Sequence, residues 1–161
     1  MNEMPMKPIG VVHTKATIDQ IRSHTRGLES VVEIFPEFVQ ALDGLDGFSH
    51  IFVLGYFNQL RPEQIGPLKV RPKAFVWMGL KLDDLPTIGV FALDSPTRPN
   101  PIGLSLVPLL RSEQNQLFVS GLDYFDGTPV LDIKPYASNY RVEEYGLPEW
   151  RKRLVQKAGR H

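Results

Sequence analysis

Three prolines within six residues, Pro96, Pro99 and Pro101, constrain this chain more than any other stretch of it. Each fixes φ and removes a backbone donor, so Ser95–Ser105 (SPTRPNPIGLS) suits neither a helix nor a central strand. Arg98 and Asn100, each followed by a proline, are biased towards extended backbone as well. The stretch reads as a stiff polar loop that passes through Gly103 into the apolar run Leu104–Leu110. A rigid loop presenting an arginine and an asparagine holds a ligand at low entropic cost. The plain alternative is a connector between two strands, because loops serve both purposes.

Short apolar runs surround this loop. Lys7–Thr14, Glu29–Phe35, Phe48–Phe57, Ala74–Leu80, Thr87–Leu93, Ile102–Arg111, Gln116–Leu122 and Pro129–Lys134 are read as strands, Phe48–Phe57 being the clearest. The connector SEQN predicts a hairpin, and Asp126-Gly127 predicts a turn. Pro36 opens a short helix in which Phe38, Val39 and Leu42 recur at helical spacing, and Gly44 follows it. Ala16–Ser30 is polar and unpatterned, a mobile loop with at most a turn of helix. Pro148–Ala158 is a second helix, with Trp150, Leu154 and Val155 as its expected buried face and Arg151, Lys152, Arg153 and Lys157 on the other. Many short strands and two short helices predict a mainly β fold, an antiparallel barrel of about seven strands that leaves no exposed edge. Residues 1–137 form the barrel domain in this reading, and 138–161 a C-terminal tail and helix.

The totals remove several function classes. A chain of 161 residues suits one domain with a true core. It has no cysteine, which excludes disulfides, zinc–thiolate sites and a thiol nucleophile, and points to a reducing cytoplasm. Lys plus Arg and Asp plus Glu balance at 18 each, so net charge gives no pull towards nucleic acid, although a local patch acts regardless. No signal-like or membrane-spanning apolar run is present, and a soluble protein is expected. No Gly-rich phosphate loop or nucleophile elbow is found. His13, His24 and His50 lack the spacing of metal ligands, so no metal is expected.

Two polar clusters remain: the Arg98 and Asn100 loop, and Asp123–Tyr136 (DYFDGTPVLDIKPY). Asp132, Lys134 and Tyr136 alternate, which places them on one strand face. A carboxylate, an ammonium and a phenol together are costly to bury unpaired, so they form either a surface pair with a rim tyrosine or a polar pocket.

These residues carry a resemblance. Gly89–Ala92, SPTRPNPIGLS, GLDYFDGTPVLDIKPY, Phe48-Ser49-His50 and PIGVVHT together resemble the TsaA-like family, also called TrmO, over roughly Pro8 to Tyr136. The resemblance implies a homodimeric β-barrel methyltransferase that binds S-adenosylmethionine. Its best-known members methylate N6 of threonylcarbamoyladenosine beside the anticodon of certain tRNAs. It further implies a cofactor pocket built from Asn58, Gln59, the loop with Arg98 and Leu104, and Asp126, Gly127, Thr128 and Pro129. Asp132 or Tyr136 would take the proton that leaves N6. Without tRNA activity, the same pocket would serve a cofactor-binding module or a small-molecule methyltransferase.

The chain departs from the family pattern at three places. Asp94 stands where the family usually has an arginine that reaches the cofactor. Thr25-Arg26-Gly27 is the nearest match to the family's Pro-Arg-Gln, and Asn58-Gln59 replaces the more usual His-Gln. The sequence stops at His161, before the extra C-terminal domain of longer bacterial members.

Overall fold

The computed structural model describes residues 4–22 and 28–159; His24 and the Thr25-Arg26-Gly27 tripeptide lie outside the described residues. The chain packs as two units, one of residues 1–60 and 101–138, the other of residues 61–100 and 139–161.

The first unit is a closed antiparallel barrel. Its strands are β1 (Gly10–Thr14), β2 (Glu29–Ile34), β3 (His50–Tyr56), β6 (Ile102–Glu113), β7 (Gln116–Ser120) and β8 (Pro129–Pro135), in the order β1-β2-β7-β6-β3-β8. The barrel thus closes with six strands rather than about seven. Alternation explains its wall: Val32 and Ile34, Ile51 and Val53, Leu117 and Val119 point inward two residues apart and are buried. Val12, Val107, Leu122, Tyr124 and Val130 complete the core. Pro36–Leu42 forms a 3₁₀ helix rather than an α-helix, and Phe38 and Leu42 pack against the core from it. Between Ala16 and Ser30 the helical turn is α1 (Ile18–Arg22), of which Ile21 is buried.

Tyr124 is the keystone of the barrel interior. Its ring occupies space left by two glycines paired across β3 and β6, Gly55 and Gly103. A Cβ on Gly55 would lie 2.6 Å from Tyr124 Cε2, and one on Gly103 2.5 Å from Phe57 Cζ and 2.8 Å from Tyr124 Oη. The phenol donates to the carbonyl of Val53 at 2.8 Å, and Phe57 meets the ring edge-on at 5.3 Å. Burial pushes the Tyr124 pKa up to about 12, so it remains a neutral donor at physiological pH.

The second unit differs from expectation. Among the described residues its strands are β4 (Lys69–Val70) and β5 (Ile88–Gly89), which pair with each other. Ala74–Leu80, expected as a strand, begins with α2 (Ala74–Trp77). Thr87–Leu93, also expected as a strand, is strand only at β5 and turns into the 3₁₀ helix Val90–Ala92 directly after it. A short apolar run between breakers looks the same as a helical turn or as a strand; here Pro72 precedes it and Gly79 at φ +92° closes it. Phe75, Leu80 and Leu85 are buried with Leu154 of α3 (Glu149–Ala158), and Trp150 and Ala158 pack on them. Val155, expected on the buried face, is 48% exposed; the packed residues recur four apart, at 150, 154 and 158. Among the described residues, no helix is long and apolar enough to cross a membrane.

Candidate active site

The Asp126–Pro129 segment is fixed by main-chain bonds at one rim of the barrel. Gly127 holds φ at +77°, the left-handed conformation that a Cβ disfavours, which lets the chain reverse directly into β8. Gly127 N donates to Val12 O at 2.8 Å, Val12 N donates to Thr128 O at 2.9 Å, and Thr128 N donates to Phe125 O at 3.1 Å. The turn thereby continues the β1–β8 pairing of Val11 with Pro129 and Gly10 with Val130. Thr14 N donates to Asp126 Oδ1 at 3.0 Å. From the end of β3, the Gln59 amide reaches over and donates to the Asp126 carbonyl at 2.6 Å. Gln59 and the turn Asp126–Pro129, which includes Gly127 and Thr128, are therefore one assembly although 67 residues separate Gln59 from Asp126.

A groove of about 430 Å³ adjoins this rim, lined by Met4, Met6, Pro8, Tyr56, Asn58, Pro129 and Leu131. Its size falls at the lower end of the range for small-molecule sites. Two sequence-predicted residues, Asn58 and Pro129, line it directly. Sequence reasoning missed Tyr56, Leu131 and the methionines. Tyr56 had an available signal, since alternation from Ile51 and Val53 puts it outside the barrel. Leu131 had none, because it depends on a bulge. The β3–β8 register jumps from Leu54↔Asp132 to Gly55↔Val130, leaving Leu131 unpaired at the groove.

The remaining predicted residues are placed differently. Thr128 is buried, with its methyl beside Gly55, and both its backbone N and its backbone O are engaged in the turn. Asp132 follows Leu131 immediately and pairs with Lys134 at 2.7 Å, while its Oδ1 accepts from Ile133 N at 2.9 Å. Tyr136 lies past the other end of β8, seven residues from Pro129 and therefore roughly 23 Å away along an extended strand. There it meets Phe52 and His50 edge-on at 5.9 and 6.4 Å. Leu104 sits on the outer face of β6 opposite Leu54, and is 65% exposed. Arg98 belongs to the second unit, where its guanidinium donates to Leu93 O at 3.3 Å. Asp94, in the same unit, is exposed. Among the described residues, no three His, Asp or Glu side chains are arranged to hold a metal ion.

The rim offers two amides and a carboxylate beside an apolar wall. That set suits a ligand combining a planar ring, hydroxyls and positive charge: the amides and carboxylate meet polar groups, and the Tyr56 ring attracts a cation. S-adenosylmethionine has all of these, and the residues fit it.

Comparison with known proteins places the chain in a family. A family model described as "tRNA-methyltransferase O N-terminal domain" matches residues 2–141. A probable S-adenosyl-L-methionine-binding protein of Pyrococcus abyssi is 35% identical over 155 residues, which are 94% of this chain and 78% of the relative. A mouse tRNA (adenine(37)-N6)-methyltransferase is 40% identical over 121 residues, 74% of this chain and 26% of the mouse protein. A crystal structure of TrmO superimposes with a TM-score of 0.67 at 33% identity, covering 90% of this chain. The chain spans 64% of that solved protein's length. With the family model matched over most of its length and the barrel shared with a solved member, this chain belongs to the TrmO N-terminal-domain family.

Proposed function

We propose that the chain is an S-adenosylmethionine-dependent methyltransferase whose acceptor is the N6 nitrogen of threonylcarbamoyladenosine beside the anticodon of tRNA. The observation that carries this reading is the assembly of Gln59 and Asp126–Pro129 at the mouth of the apolar groove. The mouse relative, named for N6 transfer to adenine in tRNA, supports the choice of acceptor. When bound, the cofactor supplies an electrophilic methyl group. Asn58, Gln59 and the Asp126 carboxylate bind its polar groups, and Tyr56, Pro129 and Leu131 exclude water from its rings. Catalysis then rests mainly on holding the acceptor nitrogen in line, with reacting atoms ~3–3.5 Å apart.

Asp132, adjacent to Leu131 on the outer wall, accepts the departing N6 proton. Tyr136 is the other candidate for this role, though its place beyond the far end of β8 favours Asp132. An Asp132→Asn variant is expected to bind cofactor normally and to lose about 10²–10⁴-fold in kcat, the usual range for a general base. Unchanged turnover would remove Asp132 from the mechanism.

The acting species is a homodimer. Phe52 and Leu54 of β3 and Leu104 and Leu106 of β6 pair on the outer face of the barrel, which gives two copies an apolar surface to share. Light scattering at micromolar protein is expected to return twice the chain mass; a monomer mass would remove the dimer from the proposal.

A module that binds S-adenosylmethionine without transferring its methyl group is the second reading. Asp94 favours it, as an acid in place of the arginine expected from the family resemblance. The Pyrococcus relative, named only for binding, also supports it. Transfer of label from the methyl group to bulk tRNA separates the two.

A further inference from the structure

The neutral chain is not neutral in its parts. The barrel unit holds 6 Lys and Arg against 11 Asp and Glu, and the second unit holds 12 against 7. A polyanion approaching the molecule is therefore repelled by one unit and attracted by the other.

Among the described residues of the second unit, four ion pairs neutralise part of the charge: Arg61–Glu63, Arg71–Asp83, Arg141–Glu143 and Lys152–Glu149. Lys69, Lys73, Lys81, Arg153 and Lys157 are exposed and lack an ion-pair partner among the described residues. Arg153 and Lys157 stand four apart on α3, a like-charged spacing that does not help the helix itself. Lys73 immediately precedes α2, and Lys81 follows the buried Leu80. These cations thus flank the core in which α2 and α3 meet. The same unit exposes aromatic rings that its own packing does not use: Phe91 is 80%, Tyr145 77% and Trp77 58% exposed. Lys73 and Trp77 stand four residues apart across the start and end of α2. Cations and exposed rings on one unit are what a nucleic acid with unpaired bases requires, phosphates on the former and stacked bases on the latter.

We propose that the second unit is an RNA-docking module, in which Lys73, Lys81, Arg153 and Lys157 hold phosphates and Phe91 and Trp77 stack unpaired bases. The proposal rests on the tRNA reading above. It assigns the contact to one unit and leaves the acidic barrel with cofactor and chemistry.

The test uses the full chain and bulk tRNA, with binding followed by fluorescence anisotropy between 50 and 200 mM salt. A Lys73→Glu, Lys81→Glu, Arg153→Glu, Lys157→Glu variant is expected to bind at least about tenfold more weakly, with a salt slope shallower by about 4. Calorimetry should show its S-adenosylmethionine affinity unchanged, which also establishes that it is folded. Unaltered tRNA binding by that variant would overturn the docking proposal and leave the tRNA reading intact. Failure of the unmodified chain to bind tRNA at any salt would overturn both. A milder Lys73→Gln, Lys81→Gln variant, expected to flatten the slope by about 2, keeps the test decisive if the fourfold variant misfolds.

Discussion

A Gly103→Ala chain should melt roughly 6–9 °C below the parent, the consequence of about 2–3 kcal/mol of overpacking in a protein of this size. The added methyl would lie 2.5 Å from Phe57 Cζ and 2.8 Å from Tyr124 Oη. Neither ring has an easy retreat. Tyr124 is buried and its hydroxyl is committed to Val53 O at 2.8 Å, so rotation leaves a buried donor and acceptor unpaired. Gly55→Ala meets the other edge of the same ring and should behave alike. Gly89→Ala, where nothing lies within 4 Å, is the control and should shift stability by no more than about 0.5 kcal/mol. Thermal unfolding followed by circular dichroism reads all three. An unchanged midpoint for both Gly103→Ala and Gly55→Ala would contradict the packing of Tyr124 between β3 and β6.

Asp126→Ala should weaken S-adenosylmethionine binding by roughly 10–100-fold, the worth of a charge-assisted hydrogen bond of about 1.5–3 kcal/mol. The same substitution releases Thr14 N, which donates to Asp126 Oδ1, and so loosens the turn as well. Asp126→Asn separates the two effects. Its amide oxygen still accepts from Thr14, so the turn should stay fixed while the charge is gone. If charge governs recognition, Asn loses nearly as much affinity as Ala at unchanged melting temperature. If both variants bind as the parent does, Asp126 is no part of the cofactor site.

Local pattern accounts for how far the barrel was legible in the sequence. Strands β2, β3, β6, β7 and β8 alternate or run apolar for five residues or more, and each was expected close to its observed place. The second unit gave no such signal. Ala74–Leu80 is apolar throughout, yet Val76, Trp77 and Met78 are exposed and only Phe75 and Leu80 are buried, which a two-state pattern does not foretell. The grouping of residues 61–100 with the C-terminal segment rests on Leu154 meeting Phe75, Leu80 and Leu85, contacts of long sequence separation. At the site, Asp126–Pro129 and Asn58-Gln59 were visible as motifs, whereas their joining through Gln59 was not. The bulge at Leu131 was equally invisible, because period two holds only while the register does. Tyr124 read as one more residue of the DYFDGTPVLDIKPY motif. Its structural role depends on two glycines, each from a different strand.

The charge division escaped notice for a simpler reason. Summed over the chain the charges cancel, and only the three-dimensional partition into units reveals an acidic barrel and a basic companion. Net charge is a statement about the whole molecule, while docking depends on the local field.

Methyl transfer to tRNA is the activity on which every other proposed role depends. Its most direct measurement is incubation of the full chain with methyl-labelled S-adenosylmethionine and bulk tRNA, followed by digestion and mass spectrometry of the nucleosides. Label in N6-methylated threonylcarbamoyladenosine, lost in the Asp132→Asn chain, is the predicted result. A chain that binds the cofactor by calorimetry and leaves every tRNA nucleoside unlabelled would contradict it.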